Sequence, residues 1–252
     1  MLKGLYAAAT GILAVESRQD AIANNIANAA TVGFRRQEPT QKGFYDVFSD
    51  KLVRPIRFNM NAAPGGGVKL DETFTDVRSG ALSVTDNPLN VALMGSGFMA
   101  IDTPKGVRYT RAGNFIADAD KQLATADGFK VQNAGGGAID VSGSEITITG
   151  DGTVNVDGAT TGRLQLVEFA DPHMLAREGQ NLYSASEAAQ KQSADATNTT
   201  VAQKALEMSN VNLPKEMVGM ILALRAYGAN QKVVNAVDET ITKLIDQVGT
   251  PV

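Results

Sequence analysis

Leu5-Tyr-Ala-Ala-Ala-Thr-Gly-Ile-Leu-Ala-Val-Glu-Ser-Arg-Gln-Asp-Ala-Ile-Ala-Asn-Asn-Ile-Ala-Asn-Ala29 places apolar or small residues at Leu5, Ala8, Ile12, Val15, Ile22, Ile26 and Ala29. The steps alternate between three and four, with Gln19 the one polar break, which is the spacing of a coiled-coil seam and not of a strand. Gly4, Ala7, Ala8, Ala9, Gly11 and Ala14 leave this helix small-sided and open to close approach by other helices. The same spacing returns at the other end of the chain, at Met217, Met220, Leu224, Tyr227, Val234, Ile241, Ile245 and Val248, with Gln231 and Asp238 as polar interruptions. Asn212 is the expected N-cap, Pro214 falls in the first turn, Glu216 suits the positive end of the dipole, and Gly249 and Pro251 supply a stop.

At ~1.5 Å per residue, roughly 28 residues at the start give about 42 Å and roughly 36 at the end about 54 Å, far beyond an average helix. Two such seams at opposite ends are expected to pair, and neighbouring chains to complete their packing. The polar breaks Gln19, Gln231 and Asp238 are expected to set the register, as buried polar seam positions do. Before assembly these ends have few partners and are expected to order only on docking.

Between the seams the hydrophobic period falls to two. Ile146 and Ile148 alternate with Thr147 and Thr149, Val154 and Val156 flank Asn155, and Leu164 and Leu166 flank Gln165. Asp127-Gly128, Gly135-Gly136-Gly137, Asp151-Gly152 and Asp157-Gly158 supply hairpin turns. The stretch Val91–Ile101 reads as the first buried hairpin of this region. Residues 36–81, with Pro39, Pro55, Pro64 and Gly65-Gly66-Gly67, read as an extended connector, and residues 186–208, rich in Ala, Ser, Thr, Gln and Asn, as the return path. The expected fold is α+β: a helical domain from residues 1–35 and 209–252, discontinuous in sequence and packed as a coiled coil, with a Gly-rich antiparallel β domain at 82–185 inserted into it.

The 252 residues are 43% apolar, enough for a core without disulfides. With no Cys and one His, thiol nucleophiles, thiolate metal sites and most proton-shuttle chemistry are excluded. Lys and Arg number 23 against 27 Asp and Glu, so there is no basic footprint for nucleic acid. The acidic excess sits in residues 81–200, with 8 basic and 14 acidic groups, while both ends are nearly neutral. No apolar run reaches the ~18 to 20 residues of a membrane span. The start of the chain has the look of a signal peptide, but Glu16, Arg18 and Asp20 continue the helical spacing without a break, so no cleaved signal is expected.

Candidate chemistry is thin. His173, in Asp171-Pro-His173, has no second His or Cys to share a metal. Asp118 with Asp120, and Asp151, Asn155 and Asp157, miss the calcium-loop spacing and read as turn formers. Gly95-Ser-Gly97 and Gly65-Gly66-Gly67 lack the rest of a nucleotide fingerprint, and Ser142-Gly-Ser144 lacks a nucleophile elbow. Arg35-Arg36 reads as a solvated helix end, with contact to an acidic neighbour as the alternative. No catalytic residue, metal ligand or cofactor is expected. A carbohydrate- or peptidoglycan-binding β module is a competing reading of the acidic centre, and a carboxylate-using muramidase a weaker one.

Three stretches resemble the axial protein family of the bacterial flagellum. Ala23-Asn-Asn-Ile-Ala-Asn28 with Thr31-Val-Gly-Phe-Arg-Arg36 is similar to the family's N-terminal pattern ANNLANxxTxGFKR. Ser209-Asn-Val-Asn212, Glu216-Met-Val-Gly-Met-Ile221 and Arg225-Ala-Tyr227 are similar to SNVN-EMVxMIxxxRAYE, with Gly228 where Glu is commoner. Val91-Ala-Leu-Met-Gly-Ser-Gly-Phe98 and Tyr109-Thr-Arg-Ala-Gly-Asn-Phe115 resemble VAIxGxGFF and YTRxGxF. The length, the single β domain and Ser144–Gly152 ahead of Gly162–Leu166 look most like the proximal-rod members, with distal-rod or hook-type members as the alternative.

The resemblance implies a structural subunit of the basal-body rod that polymerises through its terminal helices, transmits torque and forms the wall of the export channel. It implies export by the flagellar type III apparatus and residence in the periplasmic rod. Its partners would be other copies of the chain, neighbouring rod and hook proteins and the export apparatus, with no nucleic acid, no small-molecule substrate and no membrane span. The expected assembly interface comprises Leu5, Ile12, Val15, Ile22, Asn24, Asn25, Ile26, Asn28, Gly33 and Phe34 from the first half. From the second half it takes Ser209, Asn210, Val211, Asn212, Met217, Met220, Leu224, Arg225, Tyr227, Val234, Ile241 and Ile245.

Overall fold

The computed structural model describes residues 2–43, 68–191, 193–196 and 198–248. The architecture is α+β, as the periodicities require, and the chain divides into two compact units. The first is built from residues 1–27, 37–75 and 212–252; the second from 28–36 and 76–211.

In the first unit, helix α1 (Leu2–Ala27) packs against helix α2 (Leu213–Val248). Strands β1 (Gln37–Gly43) and β2 (Val68–Thr75) form an antiparallel hairpin that also packs on α1. The Thr10 hydroxyl accepts from the Val68 N–H at 3.2 Å. The expected connector at 36–81 therefore contributes paired strands to the helical unit. Its Pro55, Pro64 and Gly65–Gly67, like the stop at Gly249 and Pro251, lie outside the described residues. Asn212 caps α2: its side-chain oxygen accepts from the Lys215 N–H at 3.0 Å.

The second unit is antiparallel throughout its ladders. A nine-stranded sheet holds β5 (Phe98–Thr103) and β6 (Gly106–Thr110) at its centre, with strands 175–179 and 182–185 beyond β6 and strands 130–131, 123–124 and 116–117 beyond β5. Strands 146–148, 153–156 and 159–163 form a separate meander. Its core comprises Val91, Leu93, Met99, Ile101, Phe115, Leu123, Val131, Ile139, Val154 and Leu164 and their neighbours. A smaller aromatic cluster gathers Phe98, Tyr109, Phe169 and Tyr183 edge to face, with centroids 4.8–5.9 Å apart.

Two expectations are corrected here. Val91–Ile101 is not a hairpin: strand β4 (Val91–Met94) pairs with 200–203, while β5 pairs with β6. The stretch 186–208 is not a loose return path, because strands 193–195, 200–203 and 205–207 pair with 166–169, β4 and β3 (Leu82–Val84) respectively. In both places strand partners come from far along the chain, which local periodicity does not register. Among the described residues no helix is long and apolar enough to cross a membrane.

Candidate assembly surface

Three contacts fix how α1 meets α2. Asn25 hydrogen-bonds Glu216, Ile22 lies against Gly219, whose added Cβ would meet the Ile22 Cδ1 at 3.4 Å, and Gly11 faces Asn230, whose Nδ2 is 3.1 Å from an added Cβ. Each advance along α1 is matched by the same step backwards along α2, so the helices run antiparallel in one register. The glycines let the two backbones close on one another.

Asn25 is fully buried and is the polar centre of this unit. Its Nδ2 donates to the Gln37 carbonyl at 2.8 Å and to Glu216 Oε2 at 3.3 Å, and its Oδ1 accepts from the Gln37 N–H at 2.9 Å. One side chain thereby ties α1 to α2 and to β1. Glu216, read from sequence as a dipole-favoured residue at the helix start, does lie in the first turn of α2 and is also a buried partner of Asn25.

The face of α2 turned to α1 runs through Glu216, Met220, Ala223, Tyr227, Asn230, Val234, Val237 and Ile241, in steps of four and three. This shares Met220, Tyr227, Val234 and Ile241 with the expected seam but replaces its other ridge. Met217, Leu224 and Ile245 are more than half exposed, Arg225 is exposed, and so are Gln231 and Asp238, the supposed register-setting breaks. On α1, Ile22 is buried, Leu5, Ile12, Val15 and Ile26 are partly covered and Asn24 is exposed. Gln19 is half-buried, with its Nε2 enclosed and unpartnered.

From 213 to 224, α2 is apolar on nearly every side: Leu213, Met217, Val218, Met220, Ile221, Leu222, Ala223 and Leu224. A helix apolar all round is normally enclosed all round. Here the five residues Met217, Val218, Ile221, Leu222 and Leu224 are each more than half exposed, a contiguous apolar face of the kind that marks an interaction site.

The remaining motif residues lie in the second unit, where they bind one another. Gly33 N–H donates to the Glu207 carbonyl at 2.7 Å, Arg36 N–H donates to Asn210 Oδ1 at 2.6 Å, and Asn210 Nδ2 donates to the carbonyls of Asp76 and Arg78 at 3.0 and 2.9 Å. Phe34 is buried, with the Arg177 guanidinium 4.5 Å from its ring centre. Ser209 Oγ accepts from the Val211 N–H at 3.3 Å, and the Asn28 carbonyl accepts from the Thr31 N–H at 3.1 Å. The halves of the family pattern containing Gly33, Phe34 and Asn210 are therefore joined within the chain.

Beneath this clasp sits a buried ionic cluster, in which Arg35 contacts an acidic residue, the alternative reading of Arg35-Arg36. Glu207 Oε1 is 2.7 Å from Arg35 Nη2, close but not aligned as a hydrogen bond, and its Oε2 accepts from Arg111 Nη1 at 3.2 Å. Oε1 also accepts from the Gly80 N–H at 2.9 Å. All three charged side chains are nearly inaccessible, so Arg35 is not a solvated helix end. Burial, then the neighbouring Arg35, pull the Arg111 pKa down, while Glu207 opposes them. Arg111 also lies 5.2 Å from the Phe98 ring centre.

Nothing in this arrangement resembles a reaction centre, and among the described residues no group of three or more His, Asp or Glu is placed to hold a metal ion. Asp118 accepts from the Asp120 and Gln122 N–H groups, as turn formers do; Asp157 sits in its turn at φ +50°, but its carboxylate accepts from the distant Ser144 and Glu145 N–H groups.

Comparison with known proteins agrees along the chain. Residues 5–35 match the family model for flagella basal body rod proteins, 92–156 that for the flagellar hook protein FlgE/F/G D1 domain, and 202–247 that for the flagellar basal body rod FlgEFG protein C-terminal region. The chain is 33% identical over 268 residues to the flagellar basal-body rod protein FlgG of Bacillus subtilis, covering 98% of this chain and 99% of that one. It is 34% identical over 259 residues to FlgG of Caulobacter vibrioides, covering 95% and 97%. It is 32% identical over 252 residues to the flagellar basal-body rod protein FlgF of Rhizobium meliloti, covering 99% of each. With the pattern residues accounted for in the fold and the likeness running nearly end to end, the chain belongs to the flagellar basal-body rod proteins, which are structural subunits and not enzymes.

Proposed function

We propose that this subunit polymerises through its two terminal helices, which pack as a coiled coil with those of neighbouring copies and of adjoining rod and hook proteins. In this reading the helical unit walls the export channel and the assembled rod transmits torque. The observation that carries it is the apolar face of α2 at residues 217–224, covered by α1 on one side and open on the others. Exposed apolar area of this kind is costly in water and is relieved by association.

A position in the proximal rod is favoured by the chain's length of 252, its single β domain and the stretch Ser144–Gly152 ahead of Gly162–Leu166, with a distal-rod or hook-type position as the alternative. Residence in the periplasm, and export by the type III apparatus without a cleaved signal, complete the proposal. The test is a full-length chain carrying Ile221→Asp and Leu224→Asp, expressed in cells that lack the native subunit. Native-like circular dichroism with loss of the chain from isolated basal bodies is the expected result; normal rods and motility would contradict the proposal.

A further inference from the structure

Three guanidiniums and one carboxylate share the interior of the second unit around Tyr183. Arg177 lies directly across from Tyr183 on the neighbouring strand, and Tyr183 across from Tyr109, two residues before Arg111. Residues two apart on an extended chain share a face, so Arg177, Tyr183 and Arg111 stand on one side of the sheet, with Tyr183 and Arg111 as diagonal neighbours. The Phe98 ring packs against both, 5.6 Å from the Tyr183 ring centre and 5.2 Å from the Arg111 guanidinium.

Charge does not balance at this place. Arg35, Arg111 and Glu207 are 2%, 2% and 1% exposed, and Glu207 offers one negative charge to two positive ones. Arg177 is half-buried and adds a third positive charge, its guanidinium 5.7 Å from the Tyr183 ring centre. Arg35 and Arg111 also donate to the backbone carbonyls of Arg78 and Gly95, dipoles that leave the surplus standing. A buried ion without a counter-ion is strongly disfavoured.

Two donors in the same cluster are unused. Arg111 Nε and Tyr183 Oη are enclosed and, among the described residues, have no hydrogen-bond partner. Burial raises the Tyr183 pKa, so its hydroxyl keeps its proton. An N–H and an O–H both require an acceptor, and the surplus charge requires a negative one. Arg35, Arg111, Tyr183 and Glu207 are all nearly inaccessible, which bars a carboxylate from another molecule and leaves a single-atom ion. We infer that Arg111 Nε and Tyr183 Oη form a buried site for one halide ion, chloride, which accepts from both and neutralises the second guanidinium. A water molecule would satisfy the donors and leave the charge. The site stands independently of the assembly reading.

The test exchanges sodium gluconate, whose anion is too large for the site, for sodium chloride at constant ionic strength. Thermal unfolding of the full-length chain is followed by near-ultraviolet dichroism. A hundredfold rise in chloride is expected to raise the midpoint by at least ~3 °C, and bromide to act likewise. Arg35→Met/Arg111→Met/Glu207→Leu removes the surplus and the Nε donor but shares every non-specific effect of salt, so the halide response is expected to vanish there. Tyr183→Phe keeps the ring and the ionic cluster and is expected to raise the half-saturating chloride concentration several-fold. Equal responses in the wild type and the triple variant, or an unchanged half-saturation in Tyr183→Phe, overturn the site. Crystals soaked in bromide are expected to show an anomalous peak within hydrogen-bond distance of Tyr183 Oη and Arg111 Nε. Water at that position, or bromide only elsewhere, overturns it as well.

Discussion

Asn25 and Glu216, 191 residues apart in sequence, meet in a buried hydrogen bond of 3.3 Å that joins the two helices of the first unit. The contact combines specificity with cost. The carboxylate is enclosed, and on α1 it takes a residue with an N–H at that height to reach it. A one-residue slip of either helix would break this bond, so the pair, with the two glycine contacts that follow it along the helices, holds them in one register.

Replacing Asn25 by Ala removes one hydrogen bond from Glu216 and two from the Gln37 backbone, while Asn25→Asp places two carboxylates together. We expect Asn25→Ala to destabilise the helical unit by ~1–3 kcal/mol and Asn25→Asp to cost more at neutral pH. Thermal melts followed by helical circular dichroism at 222 nm check this, and Asn25→Ala paired with Glu216→Leu should recover part of the loss.

Glu207 is a single anion between two buried guanidiniums. Glu207→Ala leaves both cations uncompensated and is expected to cost ~3–5 kcal/mol of the β unit's stability. Replacing the three together, Arg35→Met, Arg111→Met and Glu207→Leu, is expected to restore most of it, because well-packed apolar groups replace buried ions at little loss. Denaturant titration read by near-ultraviolet dichroism of the buried tyrosines distinguishes the two outcomes.

Gly33 sits at φ +68°, and an added Cβ would lie 2.6 Å from the Ala112 nitrogen and the Arg111 carbonyl carbon, both backbone atoms. Gly33→Ala therefore combines an unfavourable backbone conformation with a clash that no side-chain rotation relieves. The clasp between residues 28–36 and 207–211 is expected to open, seen as faster hydrogen exchange of the Gly33 and Arg36 amides and a lower midpoint in urea.

In the meander, hydrogen bonds from the Thr149 hydroxyl first and the Thr153 hydroxyl next hold the Asp151 pKa down to about 2, below its ordinary 3.8. A carboxylate with a depressed folded pKa adds stability above its unfolded value and loses it as pH falls. The contribution of Asp151 should therefore be complete above about pH 4 and vanish as pH falls through about 2. Thr149→Val is expected to raise this pKa towards 3.8, measured by carboxyl-carbon NMR titration.

The sequence made the terminal helices and the turn-rich middle legible because those signals are local. Alternation at 146–156 and the N-cap of α2 at Asn212 needed no knowledge of the rest of the chain. The inner ridge of α2 was not legible. With residues 213–224 apolar nearly all round, periodicity cannot tell which side faces α1, and Met217 and Leu224 fit the seam spacing better than the small or polar Glu216, Gly219 and Ala223. The same limit hid the Arg35–Glu207–Arg111 cluster. A buried cation is indistinguishable from a solvated one until the distant carboxylate that neutralises it is in place. Gly33, Phe34 and Asn210 stood out as pattern residues, but that prominence carried no information about whether their partners lay in the same chain or the next.

The central claim is that the open apolar face of α2 is covered when copies assemble. Maleimide labelling of a Leu222→Cys chain, carried out on the isolated subunit and again on purified basal bodies, measures this directly. The account predicts rapid labelling of the free subunit and at least tenfold slower labelling in the rod; equal rates in the two states would contradict it.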